Sequence, residues 1–320
     1  MRRREWLGAV GALSAAAAAR VQAAEFSQDT LRIIVPFSAG GPTDVVARIL
    51  SPHLTESLGR QVIVDNRPGA AGNIGTAEGA RAKPDGHTVV LVAPTVAVNP
   101  SLYDNAVDPF KQLSGITQHV GLQYVLVAHV GLGVSNAREL IALAKKRDRP
   151  LSYATWGNGS HAHLAAALLA QKLGVEMLHV PYKGSAPAML DVIGGQVDIM
   201  FDSAATAIPQ IQGGKVKGIA VSSVTRLPSI PSVAPLADDV PGFDVTGWQG
   251  FMAPAGTPMA IRQRWRQALR AALERPEIKA RLAQIGLDVV ASTPEDFDAF
   301  VRREYELYAA LIKSAGIKAG

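Results

Sequence analysis

A short glycine-containing segment near the start of the chain offers the clearest chemistry. It reads LRIIVPFSAGGPTD from Leu31 to Asp44, so an apolar, β-branched run is followed by small residues and then by the apolar spacing of a helix. A helix that starts directly after such a loop has backbone N–H groups without partners at the positive end of its dipole. This arrangement suits a carboxylate or a phosphate. The segment predicts an anion-binding loop, although an ordinary strand–helix turn would have the same pattern.

Four further loops follow predicted strands in a similar way. They are Ala93–Thr95, Trp156–Ser160, Tyr182–Pro187 and Asp202–Ser203. In open α/β sheets, ligands bind beyond the carboxyl ends of the strands, so two such sheets facing each other would place all these loops around one cleft. The candidate ligand-binding residues are Phe37, Ser38, Ala39, Gly40, Gly41, Thr43, Asp44, Pro94, Thr95, Trp156, Gly157, Asn158, Ser160, His161, Tyr182, Gly184 and Asp202.

The titratable candidates leave alternatives open. Asp44 and Asp202 could meet a ligand amine or hydroxyl, or could instead cap a helix and support its loop. Arg48 follows Asp44 by one helical turn and could form a structural ion pair with it. His161 and His163 are two residues apart at a predicted helix start, where their side chains diverge. We therefore expect His161 to line the cleft or to form a hydrogen bond, and we expect no metal site at this pair.

Several catalytic and cofactor-binding signatures are absent from the sequence. No G-x-G-x-x-G follows the first strand, and neither G-x-x-x-x-G-K-[ST] nor G-x-S-x-G occurs. The chain has no cysteine, which excludes thiol nucleophiles, cysteine metal ligands and disulfides. We therefore expect a binding protein rather than an enzyme, with no catalytic residues, no metal and no cofactor.

Short β-rich runs alternate with helical patterns along the chain. This alternation indicates parallel α/β sheets with helices on both faces, and the length of 320 residues is typical of two domains. The aromatic and aliphatic residues between Phe297 and Ile312 recur at helical spacing, and we interpret them as core packing. Strands are predicted at Leu31–Val35, Val62–Asp65, Thr88–Ala93, Tyr124–Ala128, Ser152–Thr155, Met177–Val180, Asp198–Phe201, Gly218–Ser222 and Trp248–Ala253.

Residues 1–24 have the pattern of an export signal. Arg2, Arg3 and Arg4 form a positively charged start, Leu7–Ala19 is a short Ala-rich apolar run, and Val21–Ala23 offers a small-residue cleavage site. The paired arginines resemble a twin-arginine signal, with general secretion as the alternative. We expect the signal to be removed and the mature protein to be soluble in the periplasm, because no later segment has the roughly 20 apolar residues of a membrane span.

The charge balance disfavours a nucleic-acid partner. The formal net charge is +5, and the signal contributes four arginines and one glutamate, or +3, so the mature chain is near +2. Its basic residues are scattered and form no run of the kind that follows a phosphate backbone. This mild positive bias is compatible with a small anionic ligand.

Five long segments of the chain match the pattern of one known family. They are PFSAGGPTDVVAR (Pro36–Arg48), VDNRPGAAGNIG (Val64–Gly75), KPDGHTVVL (Lys83–Leu91), HVPYKGSAPAMLDVIGGQVDIMFD (His179–Asp202) and GWQGFMAPAGTP (Gly247–Pro258). With these segments the chain resembles the Bug family of periplasmic solute-binding proteins, which are associated with tripartite tricarboxylate transporters. The resemblance implies a type II-like fold of two α/β domains that close like a flytrap on a small organic carboxylate, and a partner in the membrane permease subunits. It also implies that backbone amides and ordered waters hold the carboxylate, mainly in the loops Phe37–Thr43 and Gly157–His161.

From these patterns we expect residues 27–124 with 244–320 to form domain 1 and residues 125–243 to form domain 2. Two crossing strands, at Tyr124–Ala128 and Trp248–Ala253, would link the domains. Each of the two main loops opens a helix, so we expect free N–H groups in both. We expect a monomer. A ligand-sensing partner of a signalling receptor is an alternative function, and an exported enzyme that uses the same cleft is another.

One loop departs from the family pattern. Tyr153–Leu169 reads YATWGNGSHAHLAAALL, whereas family members often have a Ser- and Thr-rich version that ends in HLAGE. Trp156 and His161 therefore stand where small or hydroxyl residues are usual. A bulkier or aromatic mono- or dicarboxylate becomes a candidate ligand, because Trp offers a flat apolar surface. The alternative is that Trp156 turns away and packs between helix and sheet.

Overall fold

The computed structural model describes residues 30–315, and the predicted export signal lies outside them. The strands are β1 (Leu31–Val35), β2 (Val62–Asn66), β3 (Thr88–Val92), β4 (Leu113–His129), β5 (Leu151–Thr155), β6 (Met177–Pro181), β7 (Ile199–Ser203), β8 (Val216–Val221), β9 (Thr246–Pro254) and β10 (Leu287–Val289). The helices are α1 (Pro42–Leu58), α2 (Asn73–Ala80), α3 (Thr95–Val98), α4 (Pro109–Gln112), α5 (Ala137–Lys146), α6 (His161–Leu173), α7 (Ser185–Ile193), α8 (Ala204–Gln212), α9 (Met259–Glu274), α10 (Pro276–Gln284) and α11 (Pro294–Ala315).

The first part of the sheet mixes parallel and antiparallel strands. β1 lies between β2 and β3 and is parallel to both, while β9 is antiparallel to β3. The first half of β4, Leu113–Gln123, is antiparallel to β9, and β10 pairs with part of this half. We call these strands, with the helices packed on them, lobe 1.

The second half of β4 belongs to a different group of strands. Residues Tyr124–His129 pair with β7 and β8, and β5 lies between β6 and β7, parallel to both. We call these strands and their helices lobe 2. One strand of 17 residues therefore runs through both lobes, and its hydrogen-bond partners change between Gln123 and Tyr124.

The predicted second crossing strand is wrong. β9, which contains Trp248–Ala253, pairs with β3 and with the first half of β4, all in lobe 1. The chain returns from lobe 2 through residues 222–245. There the N–H of Ser222 donates to the carbonyl of Tyr124 (2.9 Å), and the N–H of Val245 donates to that of Ser222 (3.0 Å). Because these bonds satisfy the backbone at the junction, the return does not need a second straight strand.

The other predicted strands lie on observed strands, but two features differ from the prediction. The sheet is mixed rather than parallel, because β4, β8, β9 and β10 run antiparallel to their partners. The sequence pattern also missed the first half of β4, where Gly115 and Gly121 interrupt the apolar alternation. Among the described residues, no helix is both long enough and apolar enough to cross a membrane.

The stripe on the C-terminal helix packs into the core, as predicted. Phe297, Val301 and Tyr308 on α11 are buried. The ring of Phe297 packs edge-on against Trp248, with 5.5 Å between ring centroids. Burial of one such phenylalanine side chain contributes about 1.5–3 kcal/mol. The contact fixes Trp248, which lies on β9 next to the junction of the lobes.

Candidate ligand-binding cleft

A small cavity lies where the two lobes meet. Its volume is about 30 Å³, which is room for about one or two water molecules. A larger occupant therefore requires the lobes to move apart. The described residues that line it include no Asp, Glu, Lys or Arg. They are Phe37, Pro42, Thr43, Ala93, Pro94, Thr95, Leu122, Tyr124, Trp156, His161, Ser185, Ser203, Trp248 and Gln249.

The loop before α1 brings an uncapped helix start to this cavity. Gly41 is the N-cap residue and supplies no side-chain cap, and Pro42 takes the first helical position. Thr43 and Asp44 follow, so their N–H groups have no acceptor within the helix. Thr43 is only 3% exposed, yet its hydroxyl has no hydrogen-bond partner. The N–H and the hydroxyl of Thr43 thus lie at the cavity wall, at the positive end of the helix dipole, and the N–H of Asp44 follows directly behind them.

Asp44 shapes this loop and does not line the cavity. Its carboxylate accepts hydrogen bonds from the N–H of Gly40 (2.9 Å) and from Nε of Arg48 (2.9 Å). Burial alone would raise the pKa of Asp44, but the hydrogen bonds from Arg48 and Gly40 hold it below its usual value. The Asp44–Arg48 contact is the structural ion pair that the spacing allowed. Gly40 itself has φ = +78°, a conformation that glycine adopts without strain.

The corresponding loop in lobe 2, Gly157–His161, uses its backbone donors internally. The N–H of Gly157 donates to Oγ1 of Thr155 (3.3 Å), and that of Gly159 donates to Nδ1 of His163 (3.1 Å). Ser160 caps α6, because its Oγ accepts from the N–H of His163 (3.3 Å). The expectation of free loop N–H groups is therefore wrong for Gly157 and Gly159.

The side chain that departs from the family pattern faces the cavity. Trp156 lines it and is 8% exposed. Its ring lies 5.8 Å from that of Tyr124, at 32° between the ring planes. Phe37 and Trp248 line the cavity from lobe 1, so aromatic rings from both lobes form its wall. Trp156 therefore borders this cavity and also packs in the hydrophobic core.

His161 connects the two lobes through the hydroxyl of Tyr308. Its Nδ1 is 3.0 Å from the hydroxyl of Tyr124, and its Nε2 forms a hydrogen bond with the hydroxyl of Tyr308 on α11. Burial lowers the pKa of His161 to about 3, so the ring is neutral at physiological pH. One ring nitrogen therefore donates and the other accepts. His161 both lines the cavity, as predicted, and joins lobe 2 to the C-terminal helix of lobe 1.

Asp202 does not line the cavity but contacts Ser185, which does. It is fully buried, and Oγ of Ser185 donates to its Oδ1 at 2.7 Å. Burial raises the pKa of Asp202 to about 6, against the opposing hydrogen bonds from Thr206 and Ser185. Ser185, the first residue of α7, is the group that lines the cavity. Asp202 thus supports and orients Ser185.

Glycines allow the lobes to touch at the edge of the cavity. A Cβ atom on Gly184 of lobe 2 would lie 3.0 Å from the backbone nitrogen of Ser38 in lobe 1. A Cβ atom on Gly157 would lie 3.2 Å from the Cα atom of Ala71. Both distances are shorter than ordinary van der Waals contacts, so a larger residue at either glycine would push the lobes apart.

Other predicted site residues lie outside the cavity. Asn158 contacts lobe 1 through its carbonyl, which accepts from the hydroxyl of Tyr103 (3.2 Å). The hydroxyl of Tyr182 donates to Asp191 of its own lobe (2.6 Å). Ala39 and Gly40 are exposed. Six predicted residues line the cavity, namely Phe37, Thr43, Pro94, Thr95, Trp156 and His161.

The sequence pattern missed four prominent members of the wall. Tyr124 and Trp248 were predicted to lie in strands that link the domains, and Gln249 follows Trp248 in the same strand. Ser185 lies in a predicted cleft loop, but its neighbour Gly184 was the predicted ligand-binding residue. Strand residues are harder to identify than loop residues, because only the break in the sheet brings Tyr124 and Trp248 to the cleft. The pattern that could have identified them is an aromatic residue within a strand at the junction of two predicted domains.

The two α/β lobes, the strand that runs through both and the cavity between them define a solute-binding protein with a periplasmic-binding-protein fold. The model of the tripartite tricarboxylate transporter family receptor, TctC, matches residues 46–317. The chain therefore belongs to that family, and the resemblance to Bug proteins is confirmed.

Solved structures agree with this assignment. The periplasmic binding protein BugD is 37% identical to this chain, with a TM-score of 0.88, over 92% of this chain and 100% of that one. An R. palustris protein solved with adipate is 30% identical, with a TM-score of 0.87, over 91% of this chain and 98% of that one. The protein MatC from Rhodopseudomonas palustris, solved with bound malate, is 30% identical, with a TM-score of 0.84, over 90% of this chain and 100% of that one.

Proposed function

We propose that this chain captures a small organic carboxylate between its lobes and delivers it to the permease of a tripartite transporter. The observation that carries the proposal is the uncapped start of α1, where the unpartnered hydroxyl of Thr43 is buried at the wall of the cavity between the lobes. Relatives solved with adipate and with malate support the ligand class.

The expected affinity is micromolar without an arginine. A helix dipole end contributes up to ~2 kcal/mol when partly buried, and each charge-assisted hydrogen bond contributes about 1.5–3 kcal/mol. Three or four such hydrogen bonds, together with the helix dipole and the burial of the ligand, supply about the 8 kcal/mol of a micromolar complex. A ligand that touches both lobes favours their closed arrangement, because it binds that arrangement better than the open one.

We propose that the protein binds its ligand without transforming it. The one titratable side chain on the described cavity wall other than Tyr124 is His161, and tyrosine hydroxyls engage both of its nitrogens. It is therefore not available to activate a serine or a water molecule. The family supports this reading, because its members are receptors for transporters.

We also propose the cellular setting and the domain division. The N-terminal signal pattern and the family support export to the periplasm, where the protein would act as a monomer without a nucleic-acid partner. The change of partners within β4 supports a boundary near residue 124. Residues 27–124 with 244–320 would form one domain, and residues 125–243 the other. The proposed ligand contacts are the six predicted residues that line the cavity, together with Ser38, Gly41 and Ser185.

The test is a thermal-shift screen followed by titration calorimetry. Benzoate, adipate and malate are compared with neutral sugars and polyamines, and we expect stabilisation by carboxylates only. Thr43→Val should weaken the best carboxylate at least tenfold, since it removes the hydroxyl and keeps the shape. Thr225→Val, at an exposed threonine, is the matched control and should leave affinity unchanged. Stabilisation by sugars or amines, with none by any carboxylate, would contradict the proposal.

A further inference from the structure

Four aromatic side chains line part of the cavity wall. Trp156 and Tyr124 lie side by side, and Phe37 and Trp248 face the cavity from lobe 1. Tyr124, at 3% exposed, and Trp248, at 2%, are fixed in the core. Both rings are therefore firmly packed where they border the cavity.

The polar groups of these rings are engaged away from a ligand. Nε1 of Trp248 donates to Oε2 of Glu304 on α11 (2.9 Å). The hydroxyl of Tyr124 is bonded to His161 (3.0 Å). Both residues therefore present ring carbons to the cavity. An aromatic wall of this kind binds a flat ring through stacked or edge-on contacts.

The N-termini of two helices without side-chain caps, α1 and α7, both border this cavity. Gly184 precedes α7, supplies no side-chain cap and lies against Ser38 in the loop before α1. The N-termini of α1 and α7 therefore meet from opposite lobes, and their dipoles favour one anionic group between them. The described residues that line the cavity include no Asp, Glu, Lys or Arg. A ligand that matches this arrangement has one carboxylate at the helix end and an uncharged body along the rings.

We propose that the ligand is a carboxylate with a flat aromatic body. This inference rests on the proposed function and specifies its substrate class. The cavity holds only about 30 Å³, so any ring must separate the lobes, and a flat ring is thinner than a puckered one. A rigid ring also loses less conformational freedom on binding than a flexible aliphatic chain.

Titration calorimetry with three probes tests the inference. Benzoate and cyclohexanecarboxylate share the carboxylate and the ring size but differ in flatness, and adipate represents flexible dicarboxylates. We expect benzoate to bind at least tenfold more tightly than either of the others. Equal or tighter binding of cyclohexanecarboxylate or adipate would overturn the inference and leave the proposed function intact. If no carboxylate binds, both the inference and the proposed function fail.

Variants of Trp156 connect this preference to the wall. Trp156→Ala should weaken benzoate at least tenfold and adipate by less than threefold, whereas Trp156→Phe should keep benzoate within threefold. Circular dichroism and melting curves show whether each variant folds. Trp156→Leu keeps apolar bulk without a ring, so it serves if Trp156→Ala does not fold. Retention of the benzoate preference in Trp156→Leu would show that the aromatic wall does not select the ligand.

Discussion

Two loops of this protein have the same sequence pattern and different chemistry. Ser38–Thr43 and Gly157–His161 both follow a strand, contain glycines and open a helix. The first begins its helix at Gly41, which supplies no side-chain cap, and leaves the Thr43 hydroxyl unpartnered. The second begins its helix at Ser160, which caps it. A capped helix start offers an anion fewer donors and a weaker field than an uncapped one.

The comparison shows that a helix start can bind an anion when its N-cap residue has no side-chain oxygen to accept from the free N–H groups. At Ser160 a side-chain oxygen occupies the position that a ligand oxygen would take. At Gly41 that position is free, and the cost in helix stability is small, roughly a few tenths of a kcal/mol, because glycine is a tolerated N-cap residue. The second loop is stable by itself, whereas the first leaves donors that a ligand can satisfy.

The largest expected effect comes from Gly40→Val. Gly40 has φ = +78°, and a β-branched residue there is strained. Its N–H would then lose the bond that joins it to Asp44. We expect at least a hundredfold loss of carboxylate affinity by calorimetry, with a melting temperature within a few degrees of the parent's. Gly133→Val is the matched control and should leave affinity unchanged, because Gly133 also has a positive φ (+76°) but lies in open space outside the cavity. An unchanged affinity in Gly40→Val would remove this loop from the site.

Gly41→Ser should convert the first loop into the second. Gly41 already has the extended conformation of an N-cap residue, so a serine there can accept from the N–H of Thr43 or Asp44. We expect a gain of roughly a few tenths of a kcal/mol in the free energy of unfolding, because glycine is itself a tolerated N-cap residue, together with a loss of tenfold or more in carboxylate affinity. Denaturant unfolding and calorimetry on the same preparation measure both quantities. Higher stability with full affinity would show that the two loops do not differ through capping.

The converse change, Ser160→Ala, tests the capped loop. Removal of the bond between Ser160 and His163 should lower the free energy of unfolding by about 1 kcal/mol. Affinity should change by less than threefold, because Ser160 does not line the cavity. Ser135→Ala, before α5, is a useful control, since Asn136 and not Ser135 caps that helix. A large loss of affinity in Ser160→Ala would place the second loop in direct contact with the carboxylate.

As the pH falls, the loop Gly157–His161 should lose stability before the loop Ser38–Thr43 does. His163 and His179 stack with 4.1 Å between ring centroids, and His179 forms a hydrogen bond with Thr155 below the loop (2.7 Å). Burial, and next the charge of His163, lower the pKa of His179 to about 4. The pKa of this residue is about 6.5 in the unfolded chain, so its stabilising effect is complete above pH 6.5 and is lost as the pH falls towards 4.

Unfolding measurements between pH 7.5 and pH 4.5 check this expectation. His179→Gln removes the titrating group, so the variant should lose less stability on acidification than the parent. The pKa of Asp44, in the first loop, lies below its usual value, and that carboxylate stays ionised over this range. If the free energy of unfolding falls equally with pH in the parent and in the variant, His179 does not cause the loss of stability in acid.

Much of the architecture follows from sequence patterns, since buried strands such as Leu31–Val35 are continuous apolar runs. The first half of β4 could not be identified, because its register depends on β9, more than a hundred residues later. The site divides in the same way. Thr43 was identified from its position at a helix start, a local property. Tyr124 was missed, because its place on the wall depends on where the sheet divides.

The pairing of β4 with β9 also sets the order in which the molecule can fold. Strands of lobe 2 all lie between residues 124 and 221, so they can pair once that stretch has been synthesised. Lobe 1 is different, because β3 lacks its antiparallel neighbour until residue 254 is available. Contacts between such distant segments form slowly, and an unpaired strand edge promotes association with other chains. The nascent chain therefore carries an open edge on lobe 1 from the completion of β3 to that of β9, which is about half of the chain's length, and β9 then closes that edge.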